Sequence, residues 1–97
     1  LSEEQTMYAS KLFQLTLKHD EEIDDMIKSK LVNWEIKRLA RMDKMILRMS
    51  IAEMIYMDSV PPKVSISEGV EIAKEYSTLD SSSFVNGILD AIYNEKC

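Results

Sequence analysis

Apolar residues recur every three or four positions along most of this chain, which is the periodicity of amphipathic α-helices. The first such segment follows Ser2-Glu3-Glu4-Gln5, a capping-box sequence, and continues to about Lys18. A second segment begins near Asp20, its expected N-cap, and its apolar face consists of Ile23, Met26, Ile27 and Leu31. No segment alternates with the period of two that is typical of a β-strand. We therefore predict an all-α fold.

The middle of the chain contains its most apolar segment, Met42 to Met57. Because its apolar residues cover most of the helical circumference, we expect this helix to lie inside a bundle. A connector with one or two helical turns is expected before it, starting at Asn33-Trp34-Glu35 and passing through Ile36 and Leu39. Pro61-Pro62 ends the central helix, since neither ring can continue it.

Two further helices are predicted in the last third of the chain. Ser65-Ile66-Ser67-Glu68 matches a second capping box, and the helix that follows it runs to Tyr76. Ser77 to Ser83 is a polar loop in which Asp80 is the expected cap of the final helix. That helix is expected to bury Phe84, Val85, Ile88, Leu89 and Ile92. Residues 1–97 thus predict a single compact bundle of about five helices.

Composition favours a cytoplasmic protein. The only cysteine is Cys97, so no internal disulfide can form. No apolar run approaches the roughly 18–20 residues of a membrane span, and the first residues lack a signal-peptide pattern. The chain opens with Leu1 rather than methionine, so we expect a fragment or a processed product.

The sequence lacks the residue combinations on which enzymes and metal sites depend. With one histidine and one terminal cysteine, neither a Cys–His nucleophile nor a zinc site of the usual spacing can be assembled. Gly69 and Gly87 both fall in helical patterns, so there is no glycine-rich phosphate loop. His19 is interpreted as a solvated histidine between two helices. We predict a binding protein without catalytic residues, cofactor or metal.

Charge is distributed unevenly in a chain whose net charge is −5. Residues 34–48 carry +3, and the bases at positions 37, 41, 44 and 48 fall on one face of a continuous helix. These bases are Lys37, Arg41, Lys44 and Arg48. The strip could contact RNA phosphates or an acidic partner. Alternatively, it is a solvated rim in which Arg48 pairs with Glu53 or Glu71.

Two features near the C-terminus suggest close contacts. Glycine within a helix costs about 1 kcal/mol relative to alanine, so Gly87 is expected to allow another helix to approach closely. Tyr76 and Phe84 bracket a polar loop that leads into a helix N-terminus, where free N–H groups can receive an anion. Such rings can stack on unpaired bases, although both also fall on apolar stripes that favour packing in the core.

Three runs of residues resemble the NusB family of transcription antitermination factors. The first is Trp34-x-x-x-Arg38-Leu39-x-x-x-Asp43-Lys44-x-Ile46-Leu47-Arg48, followed by Glu53. The second is Pro62-Lys63-Val64-x-Ile66-x-Glu68-x-Val70-Glu71-x-Ala73-Lys74, and the third is Phe84-Val85-Asn86-Gly87-x-Leu89-Asp90. The resemblance is dense over residues 34–92 and looser from Tyr8 to Leu31.

The resemblance implies a NusB-like helical bundle that binds boxA RNA together with NusE, which is also a small-subunit ribosomal protein. The complex joins elongating RNA polymerase and suppresses termination, notably in ribosomal RNA synthesis, without catalysis or a cofactor. Carried over by position, Asp43 and Lys44 correspond to the NusE-contacting surface. The positions that correspond to bound RNA or its surroundings are Lys74, Tyr76, Asp80 and Phe84.

Family members usually begin with an arginine-rich arm and further helices, which these residues lack. We therefore expect weak RNA binding by this chain alone, and apolar surface on residues 1–33 or on the Met42 helix that is exposed or buried by self-association. Two other functions stay open. NusB-like bundles also form the RNA-binding part of ribosomal RNA cytosine methyltransferases, and a generic helical interaction domain would share this composition.

Overall fold

A computed structural model describes residues 1–32, 36 and 39–97 of the protein. Within those ranges the chain forms five α-helices and no β-strand. They are α1 (Glu3–Lys18), α2 (Asp20–Lys30), α3 (Arg41–Tyr56), α4 (Pro62–Tyr76) and α5 (Leu79–Lys96). The predicted all-α bundle is confirmed. Trp34 and most of the predicted connector, together with Lys37 and Arg38, lie outside the described residues.

The central helix of the bundle is α3, which contacts each of the other four helices. Its fully buried residues include Leu47, Ile51 and Ala52, which pack against Val85 and Leu89 of α5 in one core cluster. Each buried leucine or isoleucine contributes about 1.5–3 kcal/mol relative to an exposed one. The prediction that this helix lies inside the bundle is confirmed, although one side of its N-terminal half stays exposed.

The capping boxes show where local sequence patterns succeed and fail. At α1 the predicted box is present: Ser2 Oγ accepts from the Gln5 amide at 3.1 Å, and Gln5 Oε1 accepts from the Ser2 amide at 2.9 Å. At α4 the predicted box is wrong, because the helix already begins at Pro62, with Pro61 as its N-cap. Proline is favoured at a first helical position, where its missing N–H costs nothing. Ser65 consequently lies inside the helix and is buried.

Two other predicted caps shift by one or two residues. Asp20 is the first residue of α2, and His19 takes the N-cap position. Thr78 caps α5 by accepting from the Ser81 amide at 3.0 Å, so Asp80 lies in the first turn instead. An acidic residue there still favours the helix, because its charge complements the positive end of the helix dipole.

His19 is partly buried rather than solvated. Its ring stacks on Tyr56 of α3 with centroids 3.8 Å apart, and its Nδ1 atom lies 2.6 Å from Glu22 Oε2. The junction between α1 and α2 is therefore fastened to α3 by a stacked ring pair, which no local pattern in the sequence indicates.

Arg48 of α3 forms an ion pair with Asp24 of α2. Its Nε atom donates to Asp24 Oδ1 at 2.8 Å, and Nη2 donates to Asp24 Oδ2 at 2.9 Å. Such two-point pairing with a carboxylate is among the stronger charged contacts in proteins. The predicted partners Glu53 and Glu71 are wrong, since the carboxylate comes from α2. One of the four bases in the predicted strip is thus used to hold α2 against α3.

The close helix approach expected at Gly87 occurs at Gly69 instead. A Cβ atom added at Gly87 would meet nothing within 4 Å, so the prediction for Gly87 is wrong. A Cβ atom added at Gly69 would lie 2.5 Å from Ser50 Oγ and 3.3 Å from Leu89 Cδ1. Gly69 therefore sets the distance at which α4 packs on α3 and α5.

Candidate functional site

The carboxylate of Asp43 joins the start of α3 to the connection between α4 and α5. The residue is only 7% exposed. Ser81 Oγ donates to Asp43 Oδ2 at 3.1 Å, and Ser77 Oγ donates to Asp43 Oδ1 at 3.4 Å. A buried carboxylate needs such partners, because an unpaired one would be costly to remove from water. The predicted protein-binding position and the predicted RNA-binding loop are therefore held next to each other.

The residues that build this contact were not among the predicted site residues. Ser77 Oγ and Ser81 Oγ lie 2.9 Å apart, and Ser81 also carries the amide that Thr78 caps. The three hydroxyls and Asp43 form one network, which we call the Asp43 network. The only sequence signal was the run of short hydroxyl side chains before α5, which is typical of a helix start.

The two aromatic residues of the predicted RNA-binding corner lie in different environments. Tyr76, at the end of α4, is 65% exposed, so the alternative that it packs in the core is wrong. Phe84 is half-buried and packs against the core cluster, as that alternative predicts. Asp80 is exposed in the first turn of α5. Tyr76 is thus the ring most available for stacking on a base.

The basic side chains near the Asp43 network do not form the continuous strip that the sequence predicts. Lys44 is half-buried beside Asp43, and Arg41 is exposed at the start of α3. Lys74 is exposed on α4, where its Nζ atom lies 3.4 Å from Glu71 Oε1. Lys37, the first base of the predicted strip, lies outside the described residues. The described surface therefore offers separate positive charges rather than a continuous basic strip.

The described residues form neither a metal-binding cluster nor a membrane-spanning helix. Positions 1–32, 36 and 39–97 contain no group of three or more histidine, cysteine, aspartate or glutamate side chains placed to hold a metal ion. Among the helices described, none combines the length and apolar character required to cross a bilayer.

Comparison with known proteins assigns the chain to a family. The model of the NusB family matches residues 1–94. The chain belongs to the NusB family. This confirms the resemblance carried by the three runs between residues 34 and 92, and it extends the match to α1 and α2.

Individual NusB proteins show how much of the chain is shared. The transcription antitermination protein NusB of Chloroherpeton thalassium is 54% identical over 85 residues, which are 88% of this chain and 40% of that protein. The solved T. maritima NusB superposes with a TM-score of 0.92 at 35% identity over 97% of this chain and 66% of that one. A solved chain from the complex of antitermination factors NusB and NusE with dsRNA gives 0.90 at 34% identity, over 98% of this chain and 70% of that one.

The chain is therefore shorter than the NusB proteins that it matches. It spans 40% of the length of the Chloroherpeton protein and about two thirds of each solved chain. The comparisons establish the family and the helical fold for the part that is shared.

Proposed function

We propose that this chain binds boxA RNA together with NusE and acts in transcription antitermination, notably of ribosomal RNA operons, as part of the RNA polymerase elongation complex. This is a binding function without catalysis, and its proposed place of action is the cytoplasm. Its relatives are named transcription antitermination proteins, and one solved neighbour is a NusB–NusE complex with dsRNA. The observation that carries the proposal is the Asp43 network, because it joins the two predicted binding positions into one surface.

In this proposal the two sides of the Asp43 network have different roles. Lys44 and the α3 surface beside the network contact NusE, while Asp43 itself holds the α4–α5 connection in place. On the other side, Tyr76 stacks on an unpaired base, and the N-terminus of α5 presents free N–H groups to a phosphate. Phe84 packs beneath this corner, Asp80 lies at its edge, and Lys74 supplies a positive charge.

The acidic balance of the chain explains why a partner is needed. A net charge of −5 repels the phosphate backbone, which supplies most of the affinity in nonspecific RNA binding. The exposed bases near the corner are too few to overcome that repulsion. We therefore expect RNA affinity to depend on NusE, whose surface would add contacts to the same strand.

A titration of boxA RNA in the presence and absence of NusE tests this function. We expect a clear gain in affinity with NusE, by about tenfold or more, and a smaller gain for a scrambled RNA of the same length. The titration should be run on this chain under identical conditions with both RNAs. An affinity for boxA RNA that NusE leaves unchanged would rule out the proposal.

A further inference from the structure

An open groove of about 530 Å³ lies between α4 and α5, and exposed polar side chains form most of its two walls. Each wall is a stripe along one helix, because its members are three or four residues apart. The α5 wall consists of Asn86, Asp90 and Asn94. The α4 wall contains Lys63, Ser67, Glu71 and Lys74. At a rise of about 1.5 Å per residue, the groove extends for about 16 Å along α4.

The core and the proposed function leave most of these polar residues unexplained. Lys63 and Glu71 belong to the second run that resembles the family, and Asn86 and Asp90 belong to the third. All four are exposed, so packing of the core does not account for them. The ion pairs between described residues include neither Lys63 nor Asp90. A ligand in the groove would give these side chains a common role.

The charges in the groove favour a ligand with both a cation and an anion. Glu71 and Asp90 line its middle part from opposite helices, where their carboxylates attract a cation. Lys63 lies at the end far from the α4–α5 connection, with its Nζ atom 5.8 Å from the centroid of the Tyr93 ring. An RNA strand fits poorly, because the two carboxylates would repel its phosphates. Polypeptides carry both kinds of charge.

The spacing of the α5 wall matches an extended polypeptide. Asn86 and Asn94 lie on either side of Asp90, each four residues from it, which is a rise of about 6 Å along the helix. Two residues of an extended chain rise by about 6.8 Å, so alternate residues of such a chain could face successive members of the wall. Each asparagine amide can donate to a backbone carbonyl and accept from a backbone N–H.

We propose that the groove between α4 and α5 binds an extended segment of a partner protein, in which one residue separates an arginine from an acidic residue. The arginine lies between Glu71 and Asp90, because its guanidinium has enough N–H donors for two carboxylates. The acidic side chain, two residues along, pairs with Lys63. Asn86 and Asn94 hydrogen-bond to the backbone of the segment. This site is separate from the surface proposed for NusE and boxA RNA.

The probe is a short synthetic peptide of alternating valine and charged residues, in which one valine separates one arginine from one glutamate. It is titrated into the 97-residue protein, and backbone amide signals are followed by nuclear magnetic resonance. We expect saturable changes centred on residues 63–74 and 86–94, with a dissociation constant of about 1 mM or lower. A peptide with glutamate in place of the arginine should bind about tenfold more weakly or not at all.

Removing the two carboxylates tests the cation site. Glu71→Gln combined with Asp90→Asn should weaken binding of the probe by about tenfold or more, because the arginine loses both partners. The matched control is Glu21→Gln combined with Glu75→Gln, which changes the net charge equally at positions outside the groove. It should bind within about twofold of the original. All four positions are exposed, so both variants should keep the fold, which circular dichroism checks.

Lys63→Gln tests the anion site independently. It should weaken binding of the probe by about threefold, the effect expected for one exposed ion pair. When the glutamate of the probe is replaced by glutamine, Lys63→Gln should have no further effect, because the ion pair is already absent. Equal effects of Lys63→Gln on both peptides would show that the lysine does not pair with the glutamate.

Three further results would overturn the proposal. The first is no saturable binding of the probe. The second is an equal loss of affinity in the carboxylate variant and in its matched control. The third is a single-stranded RNA that displaces the probe and binds the carboxylate variant more tightly than the original, because the groove would then be a nucleic-acid site. None of these outcomes depends on whether NusE increases the affinity for boxA RNA.

Discussion

Replacing Gly69 by alanine is expected to lower the free energy of unfolding by about 1–3 kcal/mol, the usual cost of overpacking a core. The added methyl group would lie 2.5 Å from Ser50 Oγ and 3.3 Å from Leu89 Cδ1, distances at which these side chains or α4 itself must shift. Chemical denaturation monitored by circular dichroism measures the change. Because α4 carries Tyr76 at its end, a displaced α4 should also disturb the binding corner.

Two further variants test whether the close approach is the cause. Ser50→Ala removes the atom nearest to the added methyl group, so Ser50→Ala combined with Gly69→Ala should recover most of the lost stability. Gly87→Ala is the matched control, because its methyl group meets nothing within 4 Å. It should stabilise the protein by about 0.5–1 kcal/mol, as expected for alanine in place of a helical glycine. Equal losses of stability in Gly69→Ala and Gly87→Ala would contradict this explanation.

Tyr76→Ala is expected to weaken binding of boxA RNA by about tenfold or more without unfolding the protein. Stacking of one base on an aromatic ring is worth about 1–3 kcal/mol. The side chain is 65% exposed, so its removal should change the free energy of unfolding by no more than about 0.5 kcal/mol. Fluorescence anisotropy with labelled boxA RNA, in the presence of NusE, measures the affinity.

Phe13→Ala provides a matched control for this variant. Phe13 is also an exposed aromatic residue, at 56%, but it lies on α1 and takes no part in the proposed corner. Its removal should leave RNA affinity within about twofold. If the two variants bind RNA equally well, stacking on Tyr76 is not part of recognition.

Helix positions could be predicted well where the determining interactions are local. The Ser2–Gln5 capping box acts over one turn, so the start of α1 is correctly placed. The nearly all-round apolar pattern of residues 42–57 likewise predicts a central helix, and α3 is central. Ser65 shows the limit of such patterns, since a serine three residues before a glutamate looks like a cap even inside a helix that a proline has already started.

Long-range partners could not be predicted, because they depend on how the helices pack. Arg48 has no acidic residue three or four positions away along its helix, and its partner Asp24 is on α2. The two glycines have similar helical contexts in the sequence, and only packing places Gly69 against Ser50. For the same reason the sequence gives no sign that His19 stacks on Tyr56.

In the candidate site, some residues could be predicted from the sequence, but the contacts between them could not. Asp43 comes from the family resemblance, whereas Tyr76 and Phe84 come from the residue pattern as well as from the resemblance. Neither source relates these positions in space. The fold supplies that relation through Ser77 and Ser81, whose hydroxyls reach the buried Asp43 carboxylate. The serines were not predicted, because short hydroxyl side chains near a helix start are common and usually serve as caps.

The central claim is that the start of α3 and the α4–α5 corner form one docking surface for NusE and RNA. The most direct test is to map backbone amide signals of the protein by nuclear magnetic resonance as NusE and boxA RNA are added. We predict that the largest changes fall at residues 41–44 and 74–84. Changes confined to α2 and the second half of α5, with the Asp43 network unaffected, would contradict the claim.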